Sequence, residues 1–217
     1  MPRRALVEHR PWLLASLIAG VTYLFVMDDP IGGIWLMMWK GAGVGFLAVY
    51  AAFRGKGSDG ALIAVVMALG ALADMVLELS LTVGGAIFAL GHFVAIALYL
   101  RNRREAPTSS QKMFGLALLV LTPVIAALLA YPLPNWQAAT AYSLVVGAMA
   151  AAAWTSSFPR YRVGLGAVMF VVSDLLIFAR EAGSVPEAIA GPAIWVLYYA
   201  GQFLIATGVV QTIRKRA

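Results

Sequence analysis

The chain has 217 residues, of which 62% are apolar and 12% charged, with a mean hydropathy of +0.85. Soluble domains average nearer half apolar and a quarter charged, so this composition excludes a soluble globular enzyme and a disordered chain alike. The net charge of +6 does not point to nucleic acid here. In a membrane chain it is topological, because Lys and Arg collect in cytoplasmic loops.

Apolar runs broken by charge, Pro and Gly predict eight transmembrane helices in one integral membrane domain, 1–217. They lie at about 11–27, 32–53, 60–79, 83–101, 112–131, 136–155, 163–182 and 190–212. Met1–Arg10 and the run after it could pass for a signal peptide, but no small-x-small cleavage site precedes Asp28, so the run is read as a retained span. Asp28-Asp29-Pro30 ends that first span. Arg54 to Gly60 separates the second from the third, and Arg101 to Gln111 the fourth from the fifth. Pro132-Leu133-Pro134-Asn135 turns the fifth into the sixth, and Pro159-Arg160-Tyr161-Arg162 precedes the seventh.

The charges alternate with these breaks. Arg3, Arg4 and Arg10, then Arg54 and Lys56, then Arg101, Arg103, Arg104 and Lys112, then Arg160 and Arg162, then Arg214, Lys215 and Arg216 all fall on one side. That is 14 of the 16 basic residues, and it places both termini in the cytoplasm. The other side holds Asp28, Asp29, Glu187 and the pair Arg180 and Glu181. The expected location is the bacterial inner (cytoplasmic) membrane. Asp74 and Asp174, 100 residues apart, hint at two four-helix halves of parallel orientation.

Cysteine is absent, and of the two histidines His9 precedes the first span. Disulfides, thiolate chemistry and a metal site built on several histidines are therefore excluded, and no cofactor is expected. No phosphate-cradling Gly-rich loop, no Gly-x-Ser-x-Gly elbow and no His-Glu-x-x-His occurs.

The informative residues are polar ones inside the spans: Lys40, Asp74, His92, Asp174, Tyr198 or Tyr199, and Gln202. An ionisable group in hydrocarbon costs about 2.5–3.5 kcal/mol on insertion scales, so these should be paired or functional. Counted along their helices at 1.5 Å per residue, they lie roughly 7–18 Å from the outer boundary. One polar pocket reaching the bilayer centre would satisfy them all. The plainer alternatives are an ion pair of Lys40 with Asp74 or Asp174, and hydrogen-bonding glue between helices for His92, Gln202 and the tyrosines. Glu78, one turn beyond Asp74, reads as solvated. Gly41, Gly43, Gly45, Gly84 and Gly85 read as close-packing positions, and Trp12, Tyr131 and Trp136 as interfacial aromatics.

The order of these residues resembles the YhhN-like lysoplasmalogenase family over nearly the whole chain. The resemblance rests on Lys40 and on Ala73-Asp74, followed by Gly84, Phe88 and His92 at intervals of four. Tyr142 and Met149 continue it in the sixth span, and Gly166-Ala167, Phe170 and Ser173-Asp174 in the seventh. The eighth contributes Trp195, Tyr198-Tyr199, Gln202 and Ile205. The chain departs from the family pattern at Gly41, Ala73 and Ala95.

The resemblance implies hydrolysis of the vinyl ether bond of a lysoplasmalogen, a lysophospholipid drawn from the bilayer, to a fatty aldehyde and a glycerophospho-alcohol. That chemistry needs a proton donor to the alkene, a negative charge near the resulting oxocarbenium ion and a base for water. Burial disfavours a carboxylate anion, so one of two buried Asp could hold the proton while the other stays charged. Asp74 and Asp174 are thus the expected acid/base pair. Lys40 would keep one of them ionised or hold a phosphate oxygen, and His92, Tyr198, Tyr199 and Gln202 would orient water and the glycerol. A small proton-coupled transporter, or a lipid-binding membrane protein without catalysis, would use the same buried Asp, Lys and His.

Overall fold

In a computed structural model the chain is described over residues 11–29 and 31–216. His9, the basic residues Arg3, Arg4 and Arg10, and Pro30 lie outside these. Within the described residues eight α-helices follow one another: α1 Pro11–Val26, α2 Ile34–Arg54, α3 Gly57–Leu77, α4 Leu81–Arg101, α5 Ser109–Ala130, α6 Trp136–Thr155, α7 Leu165–Glu181 and α8 Glu187–Arg216. A π-helical turn, Arg160–Gly164, leads into α7. Among the described residues there is no β-strand.

Among the described residues seven helices, α2 to α8 with the π turn counted in α7, are long and apolar enough to cross a membrane. Their outward residues are apolar too: Trp35, Met113 and Leu128 are among the most exposed large apolar side chains. This is the inverted surface of a protein solvated by lipid, and the chain is an integral membrane protein. α1 has 16 described residues, roughly 24 Å of helix, short of the hydrocarbon thickness.

The helix ends follow local chemistry. Thr108 and Gln111 form a reciprocal capping box that starts α5. α8 begins three residues before its expected start and runs through Arg214-Lys215-Arg216. Glu187 in its first turn and three cations in its last both suit the helix dipole. Pro123 and Pro192 are accommodated inside α5 and α8, as membrane helices allow when neighbours satisfy the freed carbonyl.

Contacts divide the chain into two compact units, Met1–Gly91 with Val209–Ala217, and His92–Gly208. The division falls inside α4 and α8 rather than in the loop between α4 and α5, where two four-helix halves would have separated. In the first unit α2 packs on α1 and α3. Ser16 Oγ donates to the Gly43 carbonyl at 2.6 Å, and Trp39 Nε1 to Thr22 Oγ1 at 3.0 Å. A Cβ on Gly41 would sit 2.6 Å from Met75 Cγ, and one on Gly84 2.7 Å from Leu77. Gly45 and Gly85 meet no such crowding, so of the expected close-packing glycines these two are not ones.

In the second unit α5 packs along α6, and α7 rests on both. The α4–α5 and α6–α7 loops are stitched by an isolated antiparallel bridge between Arg103 and Ser156. The Ser157 amide donates to Asn102 O at 2.8 Å, and the Arg104 amide to Thr155 O at 3.3 Å. α7 and α8 touch backbone to backbone at Gly166 and Gly201. A Cβ on Gly166 would lie 2.6 Å from Gly201 O, and one on Gly201 2.7 Å from Gly166 O.

Candidate functional site

The polar centre of the second unit lies between α4, α6, α7 and α8. The Gly166–Gly201 contact draws α7 and α8 together, and two turns further along α7 Asp174 is buried with 7% exposure. Tyr142, from α6, donates its hydroxyl to Asp174 Oδ2 at 2.8 Å. The same hydroxyl lies 3.4 Å from His92 Nε2, whose ring is buried on α4. With the proton on Nε2, the three groups form one directed line from His92 through Tyr142 to Asp174.

Aromatic rings hold this line in place. Phe170 packs edge-on against the His92 ring at 4.8 Å and against Tyr198 at 5.3 Å. Phe178 meets Tyr142 edge-on at 6.4 Å. Trp195 packs on Tyr198 and stacks on Tyr199, both at 5.8 Å. Edge-to-face pairs of this kind contribute about 0.5–1.5 kcal/mol each beyond their burial. Tyr198, Tyr199 and Gln202 are all buried on α8. Ser173, beside Asp174, donates back to the Phe170 carbonyl at 2.8 Å. The same hydroxyl also lies within hydrogen-bonding reach of the Asp174 carboxyl.

Of the sequence-predicted residues, His92, Asp174, Tyr198, Tyr199 and Gln202 belong to this second unit, and Lys40 and Asp74 to the first. Asp74 is buried, with 1% exposure. Lys40 pairs with Glu78, Nζ to Oε1 at 2.5 Å. The expected ion pair of Lys40 with Asp74 or Asp174 is therefore corrected: its counter-charge is Glu78, which is exposed as expected. The cause is packing: Gly41 lets α2 lie against Met75 and Ala71 of α3, which brings the flexible stem of Lys40 beside the C-terminal end of α3. Tyr23 of α1 lies within the electrostatic reach of Glu78 and Asp74. Among the described residues no group of three His, Cys, Asp or Glu is placed to hold a metal ion.

Tyr142 stands in the family resemblance but carries no expected role there. The signal was its depth: six residues into the sixth span, roughly 9 Å below the boundary, it shares the layer of His92 and Asp174.

A comparison with curated proteins and one with solved structures each found no match. The YhhN family matches residues 35–209, a stretch that contains Lys40, Asp74, His92, Tyr142, Asp174, Tyr198, Tyr199 and Gln202. With most of its length matched, from the start of α2 to the last third of α8, the chain belongs to the YhhN family.

Proposed function

We propose that this protein is an intramembrane hydrolase that cleaves the vinyl ether bond of lysoplasmalogens, with Asp174 as its proton-carrying group. α1 completes an eight-span bundle in this reading, with both termini on the cytoplasmic side of a bacterial inner membrane. The observation that carries the chemistry is the Asp174 carboxyl hydrogen-bonded to Tyr142 on one oxygen, in a family-matched, apolar setting.

The reaction asks one carboxyl to give and regain a proton. From its protonated form, Asp174 transfers a proton to the alkene carbon one removed from the ether oxygen, which leaves an oxocarbenium ion beside the new carboxylate. That carboxylate stabilises the cation and takes a proton from the water that attacks the carbon bearing the ether oxygen. The hemiacetal then collapses, its hydroxyl proton passing to the departing glycerol oxygen, to release fatty aldehyde and glycerophospho-alcohol. Net consumption is one water, and Asp174 ends protonated as it began. General acid–base catalysis of this kind contributes typically 10²–10⁴-fold. Tyr142, held by His92, aims the carboxyl. Tyr198, Tyr199 and Gln202 orient water and the glycerol, and the apolar helix walls receive the alkenyl chain from the bilayer. The mechanism assigns no step to Asp74 or Lys40, which belong to the first unit.

The test is a lipid-class screen that follows free aldehyde, with purified protein in detergent. A hydrolase releases aldehyde there without any sealed compartment, whereas a transporter shows activity only across sealed vesicles and yields no aldehyde.

A further inference from the structure

The second unit has a groove of about 550 Å³ toward the opposite end of α6 from Tyr142. Ala151, on its wall, is nine residues beyond Tyr142, roughly 13 Å along the helix. The groove has two characters. Its length is aliphatic, with Ile96 from α4, Leu116 from α5 and Ala148 from α6. Its rim carries Arg103, Arg104 and Lys112.

Three features of that rim are not accounted for by topology. Arg104 Nε is buried without a hydrogen-bond partner, and an unsatisfied buried donor is costly. Among the described residues none of the three cations is paired with a carboxylate, and Glu105, in the same loop, is exposed and outside the groove lining. Lys112 stands at the start of α5, just past the capping box, where the helix dipole favours an anion rather than a cation. The positive-inside rule explains cations near a membrane boundary. It does not explain a cation set against the dipole, or a buried guanidinium nitrogen without a hydrogen-bond partner. The backbone here is also fixed in advance, by the Arg103–Ser156 bridge and the Arg104 amide bond to Thr155 O.

We propose that this groove binds an anionic membrane phospholipid, its phosphate held by Arg103, Arg104 and Lys112 and the upper part of one acyl chain laid along the aliphatic wall. The cations stand at the ends of α4 and α5, where headgroups meet spanning helices, and the apolar wall runs on from them. The volume falls within the range of pockets that hold small ligands. Three unpaired cations favour a headgroup of net negative charge over a zwitterion.

Native mass spectrometry of the purified full chain tests this, with phosphatidylglycerol and phosphatidylcholine of identical chains offered in equal amounts. The wild-type protein retains one phosphatidylglycerol in preference to phosphatidylcholine by roughly tenfold, and millimolar inorganic phosphate does not displace it. The double variant Arg104→Gln, Lys112→Gln loses that preference. Equal retention of the two lipids by the wild type would overturn the site, and so would an unchanged preference in the variant. Displacement by inorganic phosphate would overturn the lipid as its occupant, in favour of a free anion. If the variant does not fold, the wild-type competition decides alone.

Discussion

Tyr142 and Asp174 join α6 to α7 through a 2.8 Å hydrogen bond from a phenol to a carboxylate oxygen. The phenol is in turn 3.4 Å from a histidine on α4. The neighbouring Ser173 hydroxyl also reaches the Asp174 carboxyl, so the group is aimed by a phenol from α6 and a hydroxyl of its own helix. This places the proposed proton transfer on a single side chain whose orientation is set by packing.

If Asp174 protonates carbon, turnover in D2O writes the event into the product. The aldehyde should carry one deuterium on the carbon next to the carbonyl, read by mass spectrometry. Aldehyde without that label would mean the bond is broken by another route.

Tyr142→Phe keeps the ring between His92 and Phe178 and removes only the hydroxyl. Aldehyde release should fall about tenfold, the scale of one hydrogen bond to a charged group. His92→Gln should fall by less, and the double variant should be no worse than Tyr142→Phe alone. Groups that act through one another are non-additive. Losses that multiply would show that His92 acts independently of Tyr142.

The spans themselves were readable because lipid imposes length and polarity on every element. α4, α5 and α6 agree with expectation to within about three residues at each end, the ordinary error of such boundaries. α8 overran because charged termini can extend a helix past the hydrocarbon, as Arg214, Lys215 and Arg216 do. That His92 and Asp174 come to a common depth was readable as well, since residue count gives depth and Tyr142 bridges the two. Rotation about each helix axis was not, because hydropathy is nearly uniform around α4, α6 and α8. Partners therefore had to come from the structure: Glu78 for Lys40, and Tyr142 for Asp174. Of the glycines, only those facing a neighbour's backbone or side chain proved to be packing positions, and that too depends on rotation.

Lys40 and Glu78 should behave as a pair. Lys40→Met and Glu78→Gln should each lower thermal stability in detergent by less than about 1 kcal/mol, since partly solvated ion pairs contribute little. The charge-swapped double variant, Lys40→Glu with Glu78→Lys, should recover most of what Lys40→Glu alone loses. Failure of the swap to recover stability would argue against a direct pair.

Gly201→Val would force a side chain against the Gly166 carbonyl, which cannot move aside as a flexible side chain would. Overpacking of this kind costs about 1–3 kcal/mol, and it separates α7 from α8 beside the candidate site. Melting should shift downward, and aldehyde release should fall in protein that stays folded. Unchanged stability would mean that α7 and α8 do not meet there.

The most direct measurement is the rate of aldehyde release from lysoplasmalogen by purified Asp174→Asn protein, beside the wild type and Asp74→Asn, each shown to be folded by size-exclusion chromatography. Clear release by the wild type is expected, with a loss of at least about 100-fold in Asp174→Asn and a smaller loss in Asp74→Asn. Asp174→Asn protein that turns over near the wild-type rate would contradict this expectation.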